Sequence, residues 1–251
     1  MKRLILASLL LAGLGAGATR AQQAASHPAA AFTPAQRAEI VQILRDALRS
    51  DPSILREAVG ALQQDEARQQ DAAAETAIAG AHQALTENPA DPQAGAAKGD
   101  VTVVEFYDTR CPYCRRLLPT MAALLKSDAK LRIVYKDLPI LGPDSMLEAR
   151  ALLAAQRQGG YGKLQEAFMH TTGPVSAQSL RAQATSLGLD GAQLQKDMAD
   201  PAIQARIDGN LQLAKALHVD GTPAFVIGNQ MIPGAVDLAD LQKAVAAARL
   251  H

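Results

Sequence analysis

Val101-Thr102-Val103-Val104-Glu105-Phe106-Tyr107-Asp108-Thr109-Arg110-Cys111-Pro112-Tyr113-Cys114 decides the fold. Its first seven residues are mostly apolar and β-branched, the pattern of a buried strand. After Cys114, Leu117, Leu118, Met121, Leu124 and Leu125 recur at helical spacing. The local order is therefore strand, Cys-Pro-Tyr-Cys, helix. Cys111 and Cys114 are the only 2 cysteines in 251 residues, so any sulfur chemistry belongs to this motif.

That placement has chemical consequences. A cysteine at a helix start meets unpaired N–H groups and the positive end of the macrodipole. Together with Arg110, Arg115 and Arg116 this favours a thiolate at Cys111, the reacting species. Pro112 suits the first helical position, where an N–H has no partner to lose. Cys114 lies one turn on along the same face, placed to close or resolve a short disulfide. A zinc site would need about four ligands, and His82, His170 and His218 are scattered with no second cysteine pair. An inert bridge closing so small a loop restrains the unfolded chain least. The redox reading prevails, and the residues call for neither a metal nor a cofactor.

Met1-Lys2-Arg3, the apolar run over 4–14 and Thr19-Arg20-Ala21 have the form of a secretory signal peptide over 1–21, too short to span a membrane. Its removal leaves 22 basic against 25 acidic side chains, a balance that argues against a nucleic-acid partner. Export places the cysteine pair in an oxidising compartment, expected to be a periplasm. Residues 22–86 form a helical extension. Thr33-Pro34-Ala35-Gln36 opens a helix with a capping box, and Ile40, Ile43, Leu44, Ala47 and Leu48 give it an apolar stripe. Asp51-Pro52 restarts a helix with Ile54, Leu55, Ala58, Val59 and Leu62 on one face. Such short helices bury little alone, so they pack on the parent domain or on copies of themselves. Residues 87–99 read as a linker.

The main domain covers 100–251. Leu131-Arg132-Ile133-Val134-Tyr135-Lys136 is a second strand, and residues from about 143 to 217 are almost purely helical, broken near 159, 173, 188 and 201. Strand character returns at Ala224-Phe225-Val226-Ile227, then Gly228-Asn229 signals a hairpin, and Asp237 caps a last helix. Pro119 inside the first helix predicts a kink. Glu105 is the one charge inside a strand expected to be buried, so it requires a partner or a raised pKa. Lys136 on the next strand is the expected partner, unless Glu105 merely tops an edge strand. His218 and Tyr161 read as ordinary packing residues.

These features resemble the thioredoxin superfamily, and within it the DsbA-like thiol–disulfide oxidoreductases with a helical insert. Lys136-Asp137-Leu138-Pro139-Ile140-Leu141-Gly142 and Gly221-Thr222-Pro223-Ala224-Phe225-Val226-Ile227-Gly228, with the cysteine motif, are similar to the suppressor-of-copper-sensitivity, ScsC-like, branch. The resemblance implies an α/β thioredoxin fold, Cys111 as attacking cysteine and Cys114 as the resolving one. It implies Thr222-Pro223 as a cis-proline loop that binds substrate with Pro112 and Tyr113, and Glu105 as a proton relay. The front region is similar to an extension that in some members builds a trimer. Threonine before the proline is typical of isomerase-type members, the strong oxidase having valine. The expected function is an exported disulfide isomerase or reductase acting on misoxidised secreted proteins, with a membrane redox partner. The alternatives are a dithiol oxidase, and a Cu(I)-sequestering protein using two soft thiolates.

Overall fold

The computed structural model describes residues 32–250; the expected signal peptide lies outside them. The described residues divide into two compact units between Leu62 and Gln63. In the first, helix α1 (Pro34–Ser50) begins at the predicted capping box, Thr33 and Gln36 bonding each other's main chain. Helix α2 (Ser53–Thr86) starts where the Asp51 carboxylate accepts the Ser53 N–H at 3.0 Å. No residue of α1 is buried, and Ile40, Ile43, Leu44, Ile54, Leu55, Val59 and Leu62 stand exposed. The second helix does not stop where its apolar face thins out. It runs unbroken through the Ala/Gln-rich stretch, whose residues carry high helix propensity.

The second unit is built on a five-stranded sheet in the order β1-β3-β2-β4-β5. Its strands are β1 (Gln93–Gly95), β2 (Val101–Tyr107), β3 (Leu131–Asp137), β4 (Ala224–Ile227) and β5 (Gln230–Pro233). Strands β2 and β3 are parallel and the other pairs antiparallel. Strand β1 falls in the stretch expected to be linker. Gln-Ala-Gly has no β-branched residue to announce it, and Gly95, at φ +81°, fits because a Cβ there would stand 2.3 Å from the Leu131 carbonyl oxygen.

Alternation along β2 and β3 sorts the core into two faces. Val101, Val103, Leu131 and Ile133 pack with Leu117, Met121 and Leu124 of α3 (Pro112–Ser127) and Leu241 and Val245 of α9 (Leu238–Ala248). Helix α3 continues through Pro119 without interruption. On the opposite face Val104, Phe106 and Val134 are covered by Ile78 and Leu85 of α2 and by Ala214. Each such side chain, fully buried, contributes roughly 1.5–3 kcal/mol of transfer free energy.

Between β3 and β4 come five helices: α4 (Pro143–Gln156), α5 (Tyr161–His170), α6 (Ala177–Ser186), α7 (Gly191–Asp197) and α8 (Pro201–Ala216). They form the predicted insert, with a core of Leu152, Leu164, Phe168, Leu180, Leu194 and Ile207. That core is continuous with Tyr107, Cys111 and Cys114. The cysteine motif therefore sits where the insert meets the end of the central strand.

Candidate active site at the start of α3

Cys111 is the N-cap of α3 and Pro112 its first residue, so the thiol stands at the helix N-terminus. Both cysteines are free thiols, Cys111 4% exposed and Cys114 1%. Pro112 is exposed, as is Tyr113, whose ring is capped by the Arg116 guanidinium carbon 4.4 Å from its centroid. Opposite them the Thr222-Pro223 peptide bond is cis. The Cys111 Sγ donates to the Thr222 carbonyl oxygen at 3.1 Å, so this loop faces Cys111.

Burial pushes the Cys114 thiol far above its ordinary range, and negative charge on Cys111 or Glu105 pushes it the same way. Glu105, 4% exposed on the α3 side of β2, is the nearby acid. Burial carries its carboxyl up to about 8, close to working pH.

The expected Glu105–Lys136 pair does not form. The parallel register puts Glu105 opposite Tyr135 and Phe106 opposite Lys136. Glu105 and Lys136 thus differ by one position and point to opposite faces. Lys136 turns instead to Asp91, with the Ala84 carbonyl as a second acceptor. Among the described residues no side chain pairs with Glu105. Nor is its strand an edge: β2 lies between β3 and β4.

Contacts that the sequence did not announce hold the site. The buried Asp108 carboxylate accepts three main-chain N–H groups: Arg110 at 2.8 Å, Ile140 at 3.0 Å and Leu141 at 3.2 Å. It ties the loop before Cys111 to the loop after β3. Thr109 donates to Glu148 of α4 at 2.5 Å, and Arg110 lies 3.5 Å from the same carboxylate. Arg115 donates to the Thr109 carbonyl at 2.6 Å and to Phe168 of α5 at 3.2 Å. Arg110 and Arg115 were expected only as basic neighbours of Cys111; Asp108 carried a signal of its own, an acid directly after a buried strand and before the motif.

A family model for the DSBA-like thioredoxin domain matches residues 102–246, more than half the chain. The chain belongs to the DSBA-like thioredoxin family. A second model, for the copper resistance protein ScsC N-terminal domain, matches residues 36–69 of this DSBA-like chain. A solved thioredoxin-like oxidoreductase from Silicibacter pomeroyi is 41% identical, with a TM-score of 0.65 over 67% of this chain and 98% of that one. Proteus mirabilis ScsC in a transitional conformation is 30% identical, with a TM-score of 0.64 over 87% of this chain and 99% of that one. The thiol:disulfide interchange protein DsbA of Bordetella pertussis is 29% identical over 167 residues, 64% of this chain and 78% of that protein. The DSBA-like chain also matches Na(+)/H(+) antiporter NhaA 1 of Salinispora arenicola, 30% identical over 166 residues, 64% of this chain, but spans only 26% of that protein's length. Among the described residues no helix is long and apolar enough to cross a membrane.

Proposed function

We propose that this chain is an exported thiol–disulfide oxidoreductase that isomerises or reduces wrong disulfides in periplasmic proteins. The observation that carries the redox chemistry is Cys111 at the N-terminus of α3, 3.1 Å from the Thr222 carbonyl. The Cys111 thiolate attacks one sulfur of a substrate disulfide and expels the other as a thiolate. The mixed disulfide then has two exits. A second substrate thiolate displaces Cys111, which is isomerisation. Alternatively Cys114 passes its proton to the Glu105 carboxylate and attacks Cys111, releasing reduced substrate and leaving the Cys111–Cys114 disulfide. Turnover as an isomerase requires a reductant, supplied by a membrane dithiol partner. Tyr113, Pro112 and the Thr222-Pro223 loop contact the substrate, whose extended main chain pairs with the loop.

The exposed apolar stripe on α1 and the first turns of α2, within the ScsC-type segment, supports self-association, by resemblance a trimer. Several cysteine pairs on one assembly would retain a misfolded chain through repeated contact. Deletion of residues 22–62, which leaves Ile78 and Leu85 in place over the sheet, tests this reading. An oligomer-dependent isomerase loses isomerase activity, whereas a monomeric dithiol oxidase keeps its oxidase activity. The ScsC match also favours a second reading, Cu(I) capture by the two sulfurs. Titration of the reduced protein with Cu(I) decides it: without tight stoichiometric binding that reading is lost.

A further inference from the structure

Asp137 ends β3, and nothing in the exchange chemistry above uses it. Its buried carboxyl meets Tyr107 at the end of β2 and Tyr161 at the start of α5. Tyr107 Oη lies 3.0 Å from Asp137 Oδ1, and Tyr161 Oη lies 3.1 Å from both Oδ1 and Oδ2. The two phenol oxygens are 2.5 Å apart.

Proton counting constrains this cluster. Three mutual contacts need three protons, and two phenols carry two. If both phenols donated to a carboxylate, their oxygens would face each other at 2.5 Å with no proton between them. A neutral Asp137 completes the set. Tyr107 donates to Oδ1, a protonated Oδ2 donates to Tyr161, and Tyr161 donates to Tyr107.

The surroundings agree with a neutral acid. The Tyr135 ring packs on both tyrosines, with centroids at 5.7 Å and 6.0 Å. Ser145 of α4 and Asp108, whose carboxylate is engaged by main-chain N–H groups, line the same small void, which has no room for a water. Asn210 of α8 donates to the Asp137 main-chain oxygen and not to its carboxyl. Lys136 points to the other face of the sheet, and Glu105 stands two residues before Tyr107 along β2. Burial carries the Asp137 carboxyl up to about 7, outweighing the hydrogen bonds from Tyr107 and Tyr161 and the attraction of Arg206, which favour ionisation.

The cluster sits at a junction. Tyr107 immediately precedes Asp108, which fixes the loop leading to Cys111, and its carbonyl accepts the Leu138 N–H at 2.8 Å. Tyr161 opens α5, whose far end is held to α3 through Arg115 and the Phe168 carbonyl. We propose that Asp137 is a positioning residue for thiol–disulfide exchange: as a neutral acid it closes a three-proton ring with Tyr107 and Tyr161 that seats α5 against the strand leading to Cys111. Ionisation opens the ring and loosens that seat. The exchange role rests on the oxidoreductase reading; the protonation state can be read without it.

The test joins infrared spectroscopy of the full chain to exchange rates. In the Glu105→Gln background, which removes the other carboxyl that stays protonated at pH 6, the protein shows a carboxylic-acid C=O band at about pH 6 that fades toward about pH 9; adding Asp137→Asn removes it. Asn keeps the ring, its amide donating to Tyr161 and its oxygen accepting from Tyr107, but has no proton to lose. The ratio of wild-type to Asp137→Asn exchange rates should therefore fall about threefold as the band fades. A band that Asp137→Asn leaves unchanged overturns the neutral-acid ring. A flat ratio in an active enzyme overturns the positioning role alone. A wild type without exchange activity sinks the oxidoreductase reading together with that role, while the band still reports the ring. Should Asp137→Asn fail to fold, Tyr161→Phe must shift the Asp137 band, and an unmoved band refutes the ring.

Discussion

Glu105→Gln isolates the energetic consequence of a carboxyl buried without a partner. In the folded protein burial raises this carboxyl from 4.5 to about 8. Because the folded value is the higher one, the stability it confers is complete below about 4.5 and is lost as pH rises toward 8. Over that window the unfolded chain releases a proton that the folded chain keeps. Each pH unit then costs about 1.36 kcal/mol. Integrated from pH 4.5 to pH 7, the loss is about 3 kcal/mol. Glutamine has the same shape and no such proton. The assay is urea unfolding of both proteins, cysteines oxidised, at several pH values. Groups that titrate equally in the two proteins cancel in the difference. The wild type is expected to lose about 3 kcal/mol relative to Glu105→Gln between those limits. Parallel stability curves would refute the reasoning, because they would mean that the Glu105 carboxyl is ionised in the fold and has found a compensating charge.

Lys136→Met strands the buried Asp91 carboxyl, whose pKa burial already raises against the attraction of Lys136; unfolding free energy should drop by about 3 kcal/mol, and pairing it with Asp91→Asn should recover part of that. Asp108→Ala orphans the N–H groups of Arg110, Ile140 and Leu141. It should cost about 1–3 kcal/mol, and hydrogen exchange should show lost protection at Ile140 and Leu141. Cys114→Ser, with no resolving sulfur, should accumulate mixed disulfides through Cys111 that non-reducing electrophoresis detects, and Cys111→Ser should accumulate none.

Much of the fold could be read from local patterns. The run at 101–107 and the helix after Cys111 are each set by their own side chains, and the breaks near 159, 173, 188 and 201 separate the helices of the insert as expected. The pairing of Cys111 with Thr222, 111 positions away, came from resemblance and not from periodicity. What escaped was whatever depends on register. Whether Glu105 meets Lys136 is decided by an offset between two strands that neither strand encodes alone. Tyr161 looked like packing because its partners, Tyr107 and Asp137, lie 54 and 24 positions away. Strand β1 was invisible because its pairing with β3, not its composition, makes it a strand.

The one-position offset that separates Glu105 from Lys136 makes β3 intolerant of a frame slip. A single residue inserted or deleted ahead of Lys136 would swing the ammonium onto the cysteine side and leave Asp91 only the more distant Arg206 as counter-ion. Glu105 would then ionise beside the ammonium, and its carboxyl would fall back from about 8 toward the ordinary range. Length polymorphism inside this strand would thus be selected against twice, once as a folding fault and once as a change in the charge beside the cysteines.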